Sequence, residues 1–93
     1  MVVGVLSLRL HIPGAHSLKD RRRALRSIKD RLRSQFNVSV AEVDAHDVWQ
    51  SAVLGVSAVG ADRPYVEELL DRVVSLVRSN RHVELLSCER EFL

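Results

Sequence analysis

The sequence contains few of the residues on which several classes of small protein depend. Cys88 is the one cysteine among 93 residues, so an internal disulfide is excluded, and a single thiol suits a reducing cytoplasm. The apolar opening stretch is interrupted by Ser7, Arg9 and His11, which makes it too short to span a bilayer. It also lacks the basic start of a signal peptide. We therefore expect a soluble, cytoplasmic protein that does not enter a membrane.

Catalytic motifs and aromatic residues are scarce as well. The sequence has no GxSxG motif, P-loop or paired catalytic carboxylates. Its loop HIPGAHS lacks the arginine among glycines with which acylphosphatases bind phosphate. We therefore expect no enzymatic activity and no cofactor. Aromatic residues make up 4% of the chain, and the most apolar predicted strands contain none. This argues against base stacking on a sheet, as in the RNA-recognition motif.

The hydrophobic periodicity predicts six elements in the order β-α-β-β-α-β. Ser17 fits the N-cap of the first helix, with Asp20 three residues later, and Asp62 with Pro64 fits the start of the second. The predicted strands span 2–12, 37–44, 51–60 and 82–90, and the predicted helices span 17–36 and 62–80. This order predicts one ferredoxin-like α+β domain over residues 1–93. Its two helices pack on one face of a four-stranded antiparallel sheet, with the first and third strands central.

The positive charge of the chain is concentrated in the first predicted helix. The window from Lys19 to Arg33 holds eight of the fourteen basic residues and two acidic ones, a net charge of +6. The rest of the chain has six basic and ten acidic residues, a net charge of −4. Such a helix repels itself, and an acidic partner would relieve that repulsion.

We therefore predict that the first helix binds nucleic acid or another anion, with ribosomal or other structured RNA as the favoured partner. Its N-terminus offers free backbone N–H groups, to which basic side chains add charge. The alternative interpretation is a solvated charged face that binds nothing. The candidate nucleic-acid or anion-binding residues are Ser17, Lys19, Arg21, Arg22, Arg23, Arg26, Lys29 and Arg33.

Four histidines raise the alternative of a metal or small-anion site. In the predicted topology they fall at or near one edge of the sheet, where the N-terminus of the first helix also lies. No tight ligand motif supports a metal, and four unrelated loop histidines are the simpler interpretation. We therefore predict no metal site; the weaker candidates are His11, His16, His46 and His82.

The outer face of the predicted sheet is aliphatic. Val3, Val5, Val53 and Val59 share it, and soluble monomers tend to avoid such an exposed patch. We therefore expect a homodimer through this face, or cover by another protein. A homo-oligomeric protein-interaction module is thus an alternative to the RNA-binding function.

Several segments of the chain resemble the bacterial YlxP-like family, domain of unknown function 503. The segments are HSLKxRR at His16 to Arg22, FNVSVAEV and DVWQ, and the similarity extends over essentially the whole chain. The resemblance implies a ferredoxin-like fold and supplies no established catalytic residues. The genes of this family commonly lie beside those for translation initiation and ribosome maturation factors. The resemblance therefore favours ribosomal RNA as the acidic partner.

Overall fold

The computed structural model describes residues 1–44 and 50–93, and within them it has the predicted β-α-β-β-α-β order. The strands form one antiparallel sheet in the order β2-β3-β1-β4. Helix α2 packs on β1, β3 and β4, while α1 packs beside it on β2. The predicted ferredoxin-like α+β fold is therefore confirmed. The elements are β1 (Val2–His11), α1 (Leu18–Gln35), β2 (Ser39–Asp44), β3 (Ser51–Gly60), α2 (Arg63–Ser79) and β4 (Glu84–Phe92).

The core lies between the inner face of the sheet and the two helices. Alternate side chains of β1, such as Leu6, Leu8 and Leu10, point inward and are buried. Leu8 pairs with Leu54 of β3, whose inward side chains are buried in the same way. Because side chains alternate along a strand, the intervening valines and serines face the opposite, open side of the sheet.

Helix α1 begins where its capping residues predict. The Ser17 hydroxyl accepts a hydrogen bond from the backbone N–H of Asp20 at 3.1 Å. The Asp20 carboxylate in turn accepts a hydrogen bond from the backbone N–H of His16 at 3.1 Å. Two backbone donors at the helix start are thus satisfied by short local bonds. The apolar side chains Leu25, Ile28 and Leu32 are buried and pack into the core.

Helix α2 lies very close to β1. Asp62 caps it by accepting a hydrogen bond from the Tyr65 N–H at 2.9 Å. A Cβ atom at Gly4 would lie 2.7 Å from Val66 Cγ1 and 2.8 Å from Leu70 Cδ1. Glycine is therefore needed at this crossing because any side chain would push the helix away from the sheet. Over the described residues, neither helix combines the length and apolar character needed to cross a bilayer.

The last strand begins two residues later than the sequence pattern predicts. The side chain of Asn80 accepts a hydrogen bond from the His82 N–H at 2.8 Å, which holds the chain in a turn after α2. The pairing of β4 with β1 then shifts between Arg9 and Leu10. This irregularity leaves Leu86 of β4 unpaired with β1 and 58% exposed.

Candidate nucleic-acid interface

Five cations of α1 form a line along one side of the helix, which we call the basic stripe. Their spacing alternates between three and four residues, so at 100° per residue they fall within a sector of about 80°. From first to last they span about 21 Å of helix axis. The residues of the basic stripe are Lys19, Arg22, Arg26, Lys29 and Arg33.

The stripe is open to solvent and mostly uncompensated. Its arginines and Lys19 are exposed, and Lys29 is half-buried. The Nη1 atom of Arg33 lies 3.8 Å from the Asp30 carboxylate, and its Nη2 atom donates a hydrogen bond to the Val40 carbonyl at 2.6 Å. Across residues 1–44 and 50–93, no ion pair involves Lys19, Arg22, Arg26 or Lys29. Four positive charges therefore face water without a protein partner in the described part of the chain.

The stripe adjoins the β2 edge of the sheet. The bond from Arg33 to Val40 joins the end of the stripe to β2, which is the outermost strand on that side. At the other edge, β4 carries Glu84, Glu89 and Glu91. The cations of α1 thus lie on the β2 side of the sheet, whereas β4 at the far edge carries these three glutamates and one cation, Arg90.

On helix α2, in contrast, two exposed arginines form ion pairs with glutamates of the same helix. Arg63 pairs with Glu67, and Arg72 pairs with Glu68, each at 2.9 Å and four residues apart. Such pairs are typical of a solvated helix face. Helix α1 lacks this arrangement along its stripe, which sets the stripe apart from an ordinary charged surface.

Arg21 lies apart from the other predicted binding residues. It is buried, with 6% of its surface exposed, and points toward the sheet. Its Nε donates to the Ser51 carbonyl at 3.1 Å, and its Nη2 pairs with the Glu42 carboxylate. Because Glu42 neutralises its charge inside the protein, Arg21 does not form part of the exposed basic surface. The signal was in the sequence, since Arg21 occupies a position of the apolar seam four residues before Leu25.

The two remaining predicted residues lie at the start of the helix and on its other side. Ser17 caps α1 through its hydroxyl oxygen. Arg23 is exposed and lines a cavity of about 460 Å³ together with the loop after β1 and the turn after α2. Sequence reasoning did not find this cavity, because its walls come from three separate segments.

The described histidines are dispersed around the predicted edge. His11 lies on the outer side of β1, where its Nδ1 is 3.4 Å from a Glu84 carboxylate oxygen. His16 is exposed before α1, and His82 lines the cavity beside Arg23. His46 lies outside the described residues. Within the described residues, no three His, Cys, Asp or Glu side chains are grouped as metal ligands.

The outer face of the sheet carries the aliphatic residues that the strand pattern places there. Val3, Val5 and Val53 are half-buried, while Val59 is 48% exposed. Val43 of β2 adds a further side chain, 61% exposed, which lies over Gly55. A shallow groove of about 430 Å³ runs across this face. It is lined by Val5, Ser7, Ala41, Val43, Gly55 and Ser57 among others.

Comparison with known proteins agrees with this fold. The chain is similar to the de novo designed protein Foldit4, with a TM-score of 0.53 and 15% identity over 98% of this chain and 96% of that one. That likeness concerns the fold. The uncharacterized protein YlxP of Bacillus subtilis (strain 168) is 34% identical over 83 residues, covering 89% of this chain and 90% of that protein. Residues 3–90 match the family described as Protein of unknown function (DUF503). With a match of this extent, the chain belongs to the DUF503 family.

Proposed function

We propose that this protein binds structured RNA, ribosomal RNA in particular, through the basic stripe, and that it does so without catalysing a reaction. The observation that carries the proposal is the run of four cations on α1 that lack an ion-pair partner among the described residues. A line of fixed positive charge about 21 Å long suits a sugar-phosphate backbone.

The energetics of the helix favour an acidic partner. Like charges three or four residues apart destabilise a helix by roughly 0.2–0.5 kcal/mol per pair. The stripe contains four such neighbouring pairs along its length, from Lys19 to Arg33. Phosphate groups would replace this repulsion with charge-assisted hydrogen bonds, and the arginines offer the fork geometry that binds phosphate oxygens in pairs.

The proposed contacts are to phosphates rather than to bases. Strands β1 and β3 carry no aromatic side chain on which a base could stack. Binding through α1 would therefore position the RNA without reading its sequence directly. We expect weak sequence preference and an affinity that falls steeply as salt is added.

The experiment is a fluorescence-anisotropy titration of a labelled ribosomal RNA hairpin at about 50 mM salt. The test variant is Arg22→Glu with Arg26→Glu, which reverses two charges of the stripe. The control is Arg31→Glu with Arg78→Glu, two exposed arginines outside the stripe with the same change in net charge. We expect the test variant to lose affinity at least tenfold more than the control. Absence of binding by the native chain, or equal losses in both variants, would refute the proposal.

A second candidate function is a homodimeric interaction module built on the outer sheet face. The specific observation is the aliphatic character of this face, on which Val43 and Val59 are 61% and 48% exposed. Four strands of six to ten residues give a face of roughly 600 Å² per copy, which is at the lower end for a stable pair. Sedimentation or light scattering across a concentration series would test it, and a constant monomer mass would contradict it.

A further inference from the structure

A cavity separate from the basic stripe opens at the start of α1. It has a volume of about 460 Å³, which is within the range of pockets that hold small ligands. The loop after β1 forms one wall, the first half of α1 forms a second, and the turn after α2 forms the third. The lining residues are Ile12, Pro13, Gly14, Ala15, Asp20, Arg23, Ala24, Ser27, Arg81 and His82.

The floor of the cavity is apolar. Ile12 and Ala15 are 2% and 1% exposed and belong to the hydrophobic core. Ala24 is half-buried, and Pro13 adds a ring at the mouth. An apolar or flat group of a ligand would therefore lose water-exposed surface by entering.

The rim carries positive charge from two different elements. Arg23 comes from α1, Arg81 follows α2, and both are exposed without an ion pair among the described residues. His82 and the hydroxyl of Ser27 add polar groups beside them. Among the described residues of the lining, Asp20 is the one carboxylate, and it accepts a hydrogen bond from the His16 N–H. Two guanidinium groups at the mouth of an apolar pocket favour an anionic group on the ligand.

The walls are held in place without a ligand. Gln50 holds the loop after β1 through two hydrogen bonds. Its backbone carbonyl accepts from the Ile12 N–H at 2.9 Å, and its side-chain amide donates to the Ala15 carbonyl at 3.4 Å. The Ala15 N–H also donates to the Ile12 carbonyl at 3.1 Å. On the opposite wall, Asn80 accepts from the His82 N–H at 2.8 Å. Because these hydrogen bonds already order the walls, ligand binding costs little conformational entropy.

We infer that this cavity binds a small phosphorylated molecule with an apolar or flat body, of the size of a mononucleotide. The phosphate lies between Arg23 and Arg81, and the body rests on Ile12, Ala15 and Ala24. This site does not depend on RNA binding, because Arg81 is outside the basic stripe. Loss of one activity would therefore leave the other in place.

The test is a titration of the full chain with adenosine 5′-monophosphate, followed by amide chemical shifts. Adenosine and inorganic phosphate serve as separate probes. We expect saturable shifts at Gly14, Ala15 and His82 by about 10 mM nucleotide, with weaker effects of either part. Arg81→Gln should weaken binding about tenfold, since it removes a charged hydrogen-bond donor. The matched control is Arg78→Gln, which changes an exposed arginine nearby that does not line the cavity.

Three outcomes would overturn the inference. The first is absence of saturation at these amides, and the second is a loss in Arg78→Gln equal to that in Arg81→Gln. The third is that adenosine alone or phosphate alone binds as tightly as adenosine 5′-monophosphate. In that case the apolar floor and the two arginines do not bind the same molecule together. Shifts confined to the basic stripe count as absence of binding at this site.

Discussion

Arg21 on α1 forms an ion pair with Glu42 on β2, and the arginine is the buried partner of the two. The side chain of Arg21 is 7% exposed, whereas that of Glu42 is 24% exposed. The same guanidinium donates from Nε to the carbonyl of Ser51, at the start of β3. One side chain thus ties the first turn of the helix to two neighbouring strands.

Removing Arg21 should destabilise the fold by more than removing its exposed neighbour. Loss of one partner from a buried ion pair costs about 3–5 kcal/mol, and we expect about 2–3 kcal/mol for Arg21→Ala because water still reaches Glu42. Arg22→Ala should stay within about 0.5 kcal/mol of the native chain. Urea unfolding of both variants measures the difference. Equal losses would mean that the ion pair does not stabilise the protein.

A replacement that keeps volume separates the structural role of Arg21 from a role in RNA binding. Arg21→Met combined with Glu42→Met removes both charges and the bond to the Ser51 carbonyl but retains packing, and hydrophobic replacements of a buried ion pair are often close to neutral in stability. We expect this double variant to bind the RNA hairpin within about twofold of the native chain, since Arg21 does not reach the surface. A tenfold loss of affinity with unchanged stability would instead assign Arg21 to the binding site.

The elements with strong local signals were predictable from the sequence. Ser17 and Asp62 both cap helices where their residue types predict, because a side-chain oxygen there accepts a backbone N–H. The uncharged apolar run from 51 to 60 forms β3 over the same residues. The basic stripe also follows directly from residue spacing on a helix of known phase.

The features that depend on distant residues could not be predicted in the same way. Arg21 looks like one more surface cation until Glu42 and Ser51 are brought beside it, 21 and 30 residues away. The sequence pattern starts β4 at His82, two residues before Glu84, because the bond from the His82 N–H to Asn80 prolongs the turn and hydrophobic periodicity carries no signal of that bond. The cavity beside Arg23 arises only when three segments meet.

Two glycines should respond in opposite ways to the addition of a methyl group. At Gly4 the new Cβ would lie 2.7 Å from Val66 Cγ1, whereas at Gly14 no atom of the described residues, its chain neighbours aside, lies within 4 Å of it. We expect Gly4→Ala to lower the free energy of unfolding by about 1–3 kcal/mol through overpacking. Gly14→Ala should be neutral or stabilise by up to about 1 kcal/mol, because the unfolded chain loses freedom. Thermal unfolding compares them, and equal effects would contradict the close approach of α2 to β1.

The salt dependence of RNA binding should report individual contacts of the basic stripe. Each phosphate contact contributes roughly 0.7–0.9 to the slope of log K against log salt concentration. Arg26→Gln should therefore reduce that slope by about this amount, while Arg31→Gln on the other side of α1 should leave it unchanged. Anisotropy titrations at four salt concentrations give the slopes. A slope that Arg26→Gln does not alter would remove Arg26 from the interface, whatever its effect on affinity.

Charge placed on the outer sheet face should separate a homodimer without unfolding the chain. Val43 and Val59 are both exposed, so replacing each with lysine alters the open face and leaves the core intact. We expect Val43→Lys with Val59→Lys to weaken self-association at least tenfold, because two charges would be buried at the contact. Tyr65→Lys, at a position 52% exposed on α2, is the control. Light scattering at increasing concentration gives the mass. A dimer that persists unchanged in the double lysine variant would show that the copies meet through another surface.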